Sequence, residues 1–261
     1  MLSENKISKI TFIGSGNVAW GLAPFFLNNE IEITEIFSTN KSTSNEFANK
    51  FNCKPASSLT TLDKNSDMYL FAIPDKEIAE VARDFPDVNG IVAHTSGIVP
   101  INVLKRFNKY GVFYPLQTFS KGLAVDICKV PFCIEASDEV VEKELYSLAS
   151  KLSNNVHLIN SEQRKKLHLS AVLVSNFSNL LYNYANELLE EEGIDFKLLI
   201  PLMEESVRKM QFLKPHDAQT GPAKRNDKNT IEEHLRMLES YPEIQNLYKL
   251  LSEQIRTRYH E

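Results

Sequence analysis

The residues best suited to chemistry fall in a few short stretches. Gly14-Ser15-Gly16-Asn17-Val18-Ala19 is a G-x-G-x-x-A turn that follows the β-branched and aromatic run Ile10-Thr11-Phe12-Ile13 and opens a helix-compatible segment. In that setting the first glycine permits a tight turn. The second lets the backbone approach a pyrophosphate, and the small Ala19 lets helix pack on strand. The free N–H groups at the helix start then face the phosphates. A glycine turn also occurs in other α/β proteins, but its place after the first strand favours a dinucleotide.

The chain at the end of the next strand-like run reads Phe37-Ser38-Thr39-Asn40-Lys41-Ser42. NAD sites usually place a carboxylate there for the ribose 2′-OH. Glu35 reads as lying inside the strand, whereas Ser38, Thr39, Asn40 and Lys41 suit a 2′-phosphate. The expected cofactor is therefore NADP; the competing reading is an ordinary polar loop. Ala72-Ile73-Pro74-Asp75 and His94-Thr95-Ser96-Gly97 close two further strands. Ligands of open α/β sheets bind outside the carboxyl ends of the strands, which makes Ile73, Pro74, Asp75, Thr95, Ser96 and Gly97 candidate cofactor contacts. Asp75 also reads as a helix N-cap. His94 reads equally as a structural histidine or a site group.

Further along, His168, Ser175, Asn176, Asn179, Asn183 and Asn186 recur at steps that put them on one helical face. His168 and Asn176 are the catalytic candidates. An imidazole, with an ordinary pKa of about 6.5, suits proton donation to a carbonyl or imine as hydride arrives. Asn176 would hold the substrate oxygen or the nicotinamide amide. The stripe also reads as a solvated face, and for Asn183 and Asn186 that reading is preferred. In the loop Thr220 to Asp227, Thr220 and Arg225 are candidate substrate contacts, since arginine offers a planar fork for a carboxylate. The alternative is a surface connection with an internal Arg225–Asp227 pair.

The elements that must position these groups follow a rhythm. Strand-like runs at 10–13, 31–37, 68–73, 91–94 and 112–113 alternate with helical stretches, and a last β/α unit spans 132–159. That alternation predicts an α/β fold, a Rossmann-type doubly wound parallel sheet. After Ile159 strands stop. Helices are expected from Ser161 to Glu192, ended by Gly193; from Phe196 to Met210, with Pro201 near the first turn; from a capping box of Thr230 and Glu233; and from Glu243 to Tyr259. The expected organisation is a cofactor-binding domain over 1–160 and an all-helical substrate and dimerisation domain over 161–261, with the substrate in the crevice between them.

Composition narrows the class. The 261 residues carry a net charge of −5, which argues against nucleic acid or an anionic membrane as partner. Cys53, Cys128 and Cys133 form no Cys-x-x-Cys pair and fit a reducing compartment. Met1 to Ser8 is polar and leads straight into a strand-like run, so no signal peptide is expected, and no apolar run is long enough to span a bilayer. A cytoplasmic protein without a metal is expected.

Gly14 to Ala19, Ala72 to Asp75, His94 to Gly97 and Gly111-Val112-Phe113-Tyr114-Pro115-Leu116-Gln117-Thr118-Phe119 together resemble Rossmann-like proteins with a C-terminal domain of unknown function 2520. His168-Leu169-Ser170-Ala171-Val172 with Asn176 resembles the start of that domain, and Gln219 to Ala223 with Arg225 and Asp227 resembles its loop. The resemblance implies NADP-dependent oxidoreduction of a small molecule, kinship with pyrroline-5-carboxylate reductase and the 6-phosphogluconate dehydrogenase superfamily, a helical second domain and a homodimer. It also makes Gln117 a candidate substrate contact. The Lys-x-x-x-Asn pair of the superfamily's hydroxyacid dehydrogenases is missing: Lys165 is followed four residues later by Leu169, and Lys166 by Ser170. The expected function is hydride transfer between NADP and a small polar carbonyl, imine or hydroxy compound. The alternative is a non-catalytic NADP-binding sensor or regulator.

Overall fold

In the computed structural model, which describes residues 7–260, eight strands form one sheet in the order β3-β2-β1-β4-β5-β6-β7-β8. The polar stretch Met1–Lys6, on which the signal-peptide reading partly rests, lies outside the described residues. The strands are β1 (Lys9–Ile13), β2 (Glu32–Phe37), β3 (Lys54–Pro55), β4 (Met68–Phe71), β5 (Ile91–His94), β6 (Tyr110–Pro115), β7 (Phe132–Ala136) and β8 (Val156–Leu158). Helices α1 (Asn17–Asn28), α2 (Lys41–Phe51), α3 (Asp75–Asp84) and α4 (Glu139–Leu152) connect them. The first six positions in the sheet follow the order of a dinucleotide fold, in keeping with the predicted Rossmann-type sheet; the two-residue β3 among them was not read in the sequence.

One pairing departs from a parallel sheet: β7 runs antiparallel to β6. The reason is the connection, which holds only a 3-10 turn, Ile127–Lys129, and no crossover helix to bring the chain back to the same edge. The two faces of β1 show why the sheet is covered on both sides. Ile10 and Phe12 pack with Leu22, Phe26 and Phe47 of α1 and α2, while Ile13 packs with Phe71, Ile78 and Phe85 on the opposite face. This is the period-two alternation of a strand buried on both sides. Thr11 is polar and fully buried, and its hydroxyl meets those of Thr34 at 2.8 Å and Ser66 at 2.7 Å.

By its contacts the chain divides into one unit ending at Val174 and another beginning at Ser175. Helix α5 (Ser161–Ala171), expected to open the second domain, counts with the first. Its Arg164 is wholly buried there. The long helix read from Ser161 to Glu192 is not continuous: a π-helical segment, Val172–Asn176, separates α5 from α6 (Phe177–Glu190). Such segments carry no glycine or proline signature, so the pattern did not show it. Gly193, at φ +67°, closes α6 as read, with the Ile194 N–H donating to the Leu189 carbonyl and the Gly193 N–H to that of Glu190.

The second unit continues with α7 (Ile200–Lys209), α8 (Pro215–Ala218), α9 (Lys228–Met237) and α10 (Pro242–His260). Pro201 sits in the first turn of α7, as predicted. The capping box at Thr230 and Glu233 is corrected. Helix α9 starts three residues earlier, at Lys228, and its cap is Asp227, whose carboxylate accepts from the Thr230 N–H at 3.1 Å and from its hydroxyl at 2.8 Å. No described helix is long and apolar enough to cross a membrane.

Candidate active site

The glycine turn occupies the end of β1. Gly14 has φ +104°, and a Cβ there would lie 2.3 Å from the Ala72 carbonyl oxygen, so only glycine fits. Its N–H donates to the Phe37 carbonyl at 2.7 Å, tying the turn to the tip of β2. At Gly16 the nearest atom to an added Cβ is 3.9 Å away. A side chain at Gly16 would make only ordinary contact with the Ala72 carbonyl, so the backbone there is uncrowded, as a pyrophosphate approaching it requires. Gly16 caps α1 with no side-chain hydrogen bond, and the first turn, with Asn17 and Val18, has no carboxylate. Those N–H groups stay available to an anion. Ala19 is buried against the sheet, as expected of the third position.

At the tip of β2, α2 begins at Lys41. The cause is Asn40, whose side-chain oxygen accepts from the N–H groups of Ser42 at 3.0 Å and Thr43 at 3.3 Å. Thr39, Asn40 and Lys41 are exposed, and Ser38 is half-buried. The Ser15 hydroxyl meets that of Thr43 at 2.7 Å, so the glycine turn and the start of α2 are joined directly. Lys41 sits in a first turn that also lacks a carboxylate. A lysine opposes the helix dipole there, and a bound anion would relieve the opposition. Glu35 lies within β2, as read, and its carboxylate accepts the N–H of Asp63 at 2.7 Å.

After β4, Ile73 is half-buried and Pro74 exposed. The N-cap reading of Asp75 is corrected: Pro74, extended at ψ 140°, is the cap residue, and Asp75 is the first helical residue of α3. A carboxylate there still complements the helix N-terminus. After β5 the hydroxyl of Ser96 accepts from the N–H groups of Ile98 at 3.1 Å and Val99 at 3.0 Å, and that of Thr95 donates to the Phe71 carbonyl at 3.2 Å. Both residues therefore shape the loop. His94 is structural: it is fully buried and its Nδ1 accepts the Ser96 N–H at 3.2 Å. Burial first, and then the Arg164 charge, push its pKa down to about 3, so the ring is neutral.

His168 of α5 lies over this loop. A Cβ on Gly97 would come within 2.5 Å of its Nδ1, so glycine at 97 serves the close approach of the ring. Nδ1 is 3.1 Å from the hydroxyl of Tyr114, on β6, and the two rings meet edge to face at 6.2 Å. Nε2 has no hydrogen-bond partner among the described residues and is not enclosed. Burial raises the Tyr114 pKa to about 12.

Arg164, one turn before His168, is the functional residue that the sequence reading missed. Its guanidinium donates to the carbonyls of Ser96 at 3.2 Å and Val99 at 2.6 Å, on either side of Gly97, and pairs with Glu135 of β7. The Ser161 hydroxyl donates to the same carboxylate at 2.7 Å and accepts the Ile101 N–H at 3.0 Å. The helix, the loop under His168 and β7 are thus one hydrogen-bonded assembly. The signal available in sequence was the i, i+4 spacing of Arg164 and His168.

The remaining candidates are placed separately. Gln117, past β6, is exposed, and its side-chain oxygen accepts the Thr118 N–H at 2.8 Å. Asn176, Thr220 and Arg225 belong to the second unit and are exposed. Asp227 forms the α9 cap, with the Arg225 charge acting on it only as a minor influence after its hydrogen bonds to Thr230. Asn183 and Asn186 bond to Glu187 at 2.6 Å and Glu190 at 2.7 Å, an exposed-face pairing one turn along α6. Among the described residues no cluster of His, Cys, Asp and Glu could hold a metal.

Residues 9–92 match the family described as NADP oxidoreductase, coenzyme F420-dependent, and residues 130–255 match a domain of unknown function, DUF2520. The structure is similar to that of BF3122 from Bacteroides fragilis, a proposed NADP oxidoreductase, at 38% identity and a TM-score of 0.90, over 98% of this chain and 100% of that one. It shares its fold with a reductive aminase from Aspergillus terreus (14% identity, TM-score 0.71, 95% of this chain and 93% of that one). It also shares it with 1-pyrroline-5-carboxylate reductase from Streptococcus pyogenes (14%, 0.66, 95% of this chain and 98% of that one). No curated protein matches the chain.

Proposed function

Because the chain belongs to the family that joins an NADP oxidoreductase, coenzyme F420-dependent domain to a DUF2520 domain, we propose that it is an NADP-dependent oxidoreductase acting on a small polar carbonyl, imine or hydroxy compound. The observation that carries this reading is the pairing of two features at the carboxyl ends of the strands. One is the open glycine turn. The other is an imidazole, His168, seated on Gly97 with Nε2 accessible. The bound cofactor would supply the hydride in its reduced form or accept it in its oxidised form. His168 gives the proton to the substrate oxygen or nitrogen from Nε2 in the reductive direction and takes it back in the other. Asn176 stays a catalytic candidate, and Gln117, on the first unit, and Thr220 and Arg225, on the second, stay candidate substrate contacts. Lys165, paired with Glu162 at 2.8 Å, and the exposed Lys166 give α5 no lysine acid. That observation favours the second reading, a non-catalytic NADP-binding protein, should His168 prove inert.

NADP should stabilise the protein more than NAD does, and Lys41→Ala should narrow the difference. Both cofactors share the pyrophosphate, so the glycine turn cannot discriminate. The discriminating groups are Ser38, Thr39, Asn40 and Lys41 at the start of α2. A charge-assisted hydrogen bond contributes about 1.5–3 kcal/mol, a factor of about ten or more in affinity. At 100 times its dissociation constant a ligand adds about 2.7 kcal/mol of stability, which a melting assay resolves. Equal stabilisation by NADP and NAD, or an unchanged preference in Lys41→Ala, would mean the tip of β2 does not read the 2′-phosphate.

A cytoplasmic homodimer, built through the second unit, completes the proposal. Among that unit's described apolar side chains only Ala223 and Leu238 are buried, whereas Leu198, Leu202, Val207, Phe212 and Met237 are each more than 60% exposed. A helical unit that buries so little of its own apolar surface is unstable alone. Light scattering at micromolar concentration should return twice the 29.7 kDa chain mass. A strictly monomeric mass removes this part of the proposal.

A further inference from the structure

We propose that Tyr114 is a positioning residue for the proton transfer, its phenol O–H donating to Nδ1 of His168 and holding that ring as the Nε2–H tautomer. The inference rests on the reading of His168 as the proton donor and goes beyond it to say how the donor is prepared. Tyr114 ends up here because β6 carries it to the carboxyl end of the sheet, opposite Cys133 of β7. Its ring is buried beside Val112 and Cys133, with Leu116 and Leu167 packed around it. His168 Nδ1 is its hydroxyl's only hydrogen-bond partner among the described residues, at 3.1 Å.

That single contact has two possible directions. If Nδ1–H donated to the phenol oxygen, the phenol's own proton would lack a partner in a largely buried site, at a cost of about 1–3 kcal/mol. If the phenol donates, Nδ1 is the acceptor, and the proton of the neutral ring must sit on Nε2. Burial also keeps Tyr114 in its protonated form, the one able to donate. Gly97 completes the arrangement. An added Cβ would lie 2.5 Å from Nδ1 and 2.7 Å from Cγ, so backbone closes off that side of the ring and leaves Nε2 as the free end. Tyr114 therefore aims the proton-bearing nitrogen outward without touching the substrate.

The test is long-range 15N–1H correlation spectroscopy of the full chain labelled in its histidine rings, with His168 assigned by its disappearance in His168→Gln. In the neutral ring of the wild type, Nε2 should show the shift of a protonated nitrogen and Nδ1 that of an unprotonated one. In Tyr114→Phe the two shifts should move towards each other as both tautomers become populated. Should that variant fail to fold, incorporation of 3-fluorotyrosine, a stronger donor of the same shape, should move the Nδ1 resonance of the otherwise wild-type chain. A protonated Nδ1 in the wild type overturns the proposal, as does a His168 pattern unchanged by both perturbations. Neither measurement needs NADP or turnover, so a failed tautomer assignment is told apart from a failure of the oxidoreductase reading, which only the activity assay reports.

Discussion

Arg164→Ala should destabilise the first unit by about 3–5 kcal/mol, the usual cost of removing one partner of a buried ion pair. The side chain is wholly enclosed, and its loss strands several groups at once. Glu135 keeps only the Ser161 hydroxyl, and the carbonyls of Ser96 and Val99 lose their donor. For a unit of this size the melting midpoint should fall by roughly 10 °C. Trp20, the chain's single tryptophan, lies on α1, so its fluorescence during urea unfolding reports on the unit in question. The double variant Arg164→Met with Glu135→Leu should recover much of the loss, because an apolar pair of similar volume often replaces a buried ion pair at little cost. A loss under about 1 kcal/mol in Arg164→Ala would mean that water, or a shifted loop, satisfies Glu135 and the two carbonyls. The assembly would then not be what holds α5 over the loop.

What could and could not be read from sequence follows from the range of the interactions. The glycine turn is local: Gly14, Gly16 and Ala19 have fixed offsets from a strand end, and that spacing alone placed them. The alternation of strands and helices is local too, and it predicted β1, β2, β4, β5 and β6, but not β3, whose two residues are too short to leave a pattern. Its failure at β7 has a plain cause, since the direction of a strand depends on what connects it, and the segment from Leu116 to Pro131 does not announce that it lacks a crossover helix. Offsets of a few residues decided the caps. Asp227 and Thr230 are both good capping types, and only backbone geometry selects the first. Tyr114 and Arg164 could not be found this way. Tyr114 meets His168 across 54 residues and Arg164 meets Ser96 across 68, and neither pairing leaves a periodic trace. Gly97 was read as a candidate cofactor contact at a strand end. Its need for glycine comes instead from a ring carried by a helix much later in the chain.

His168→Gln should retain NADP binding and lose about 10²–10⁴-fold in oxidoreductase rate across a panel of small carbonyl and imine compounds. That loss corresponds to about 3–5 kcal/mol of transition-state stabilisation. Glutamine suits the question because it is polar, can still accept from the Tyr114 hydroxyl, and fits over Gly97 more easily than a bulkier residue would. What it lacks is a ring nitrogen that can give up a proton and take it back. The groups expected to hold the cofactor belong to other elements: the turn from Gly14 to Ala19 and the start of α2 from Asn40 to Lys41. Melting with NADP should therefore rise in the variant as it does in the wild type, while kcat falls. The three possible results separate cleanly. A lower kcat with intact NADP stabilisation is the signature of a lost proton donor. A lower melting point with unchanged kcat would assign His168 to packing against Gly97 and Tyr114. Normal turnover in a stable variant would move the acid elsewhere, with Tyr114, the nearest other proton-bearing side chain, as the next group to change.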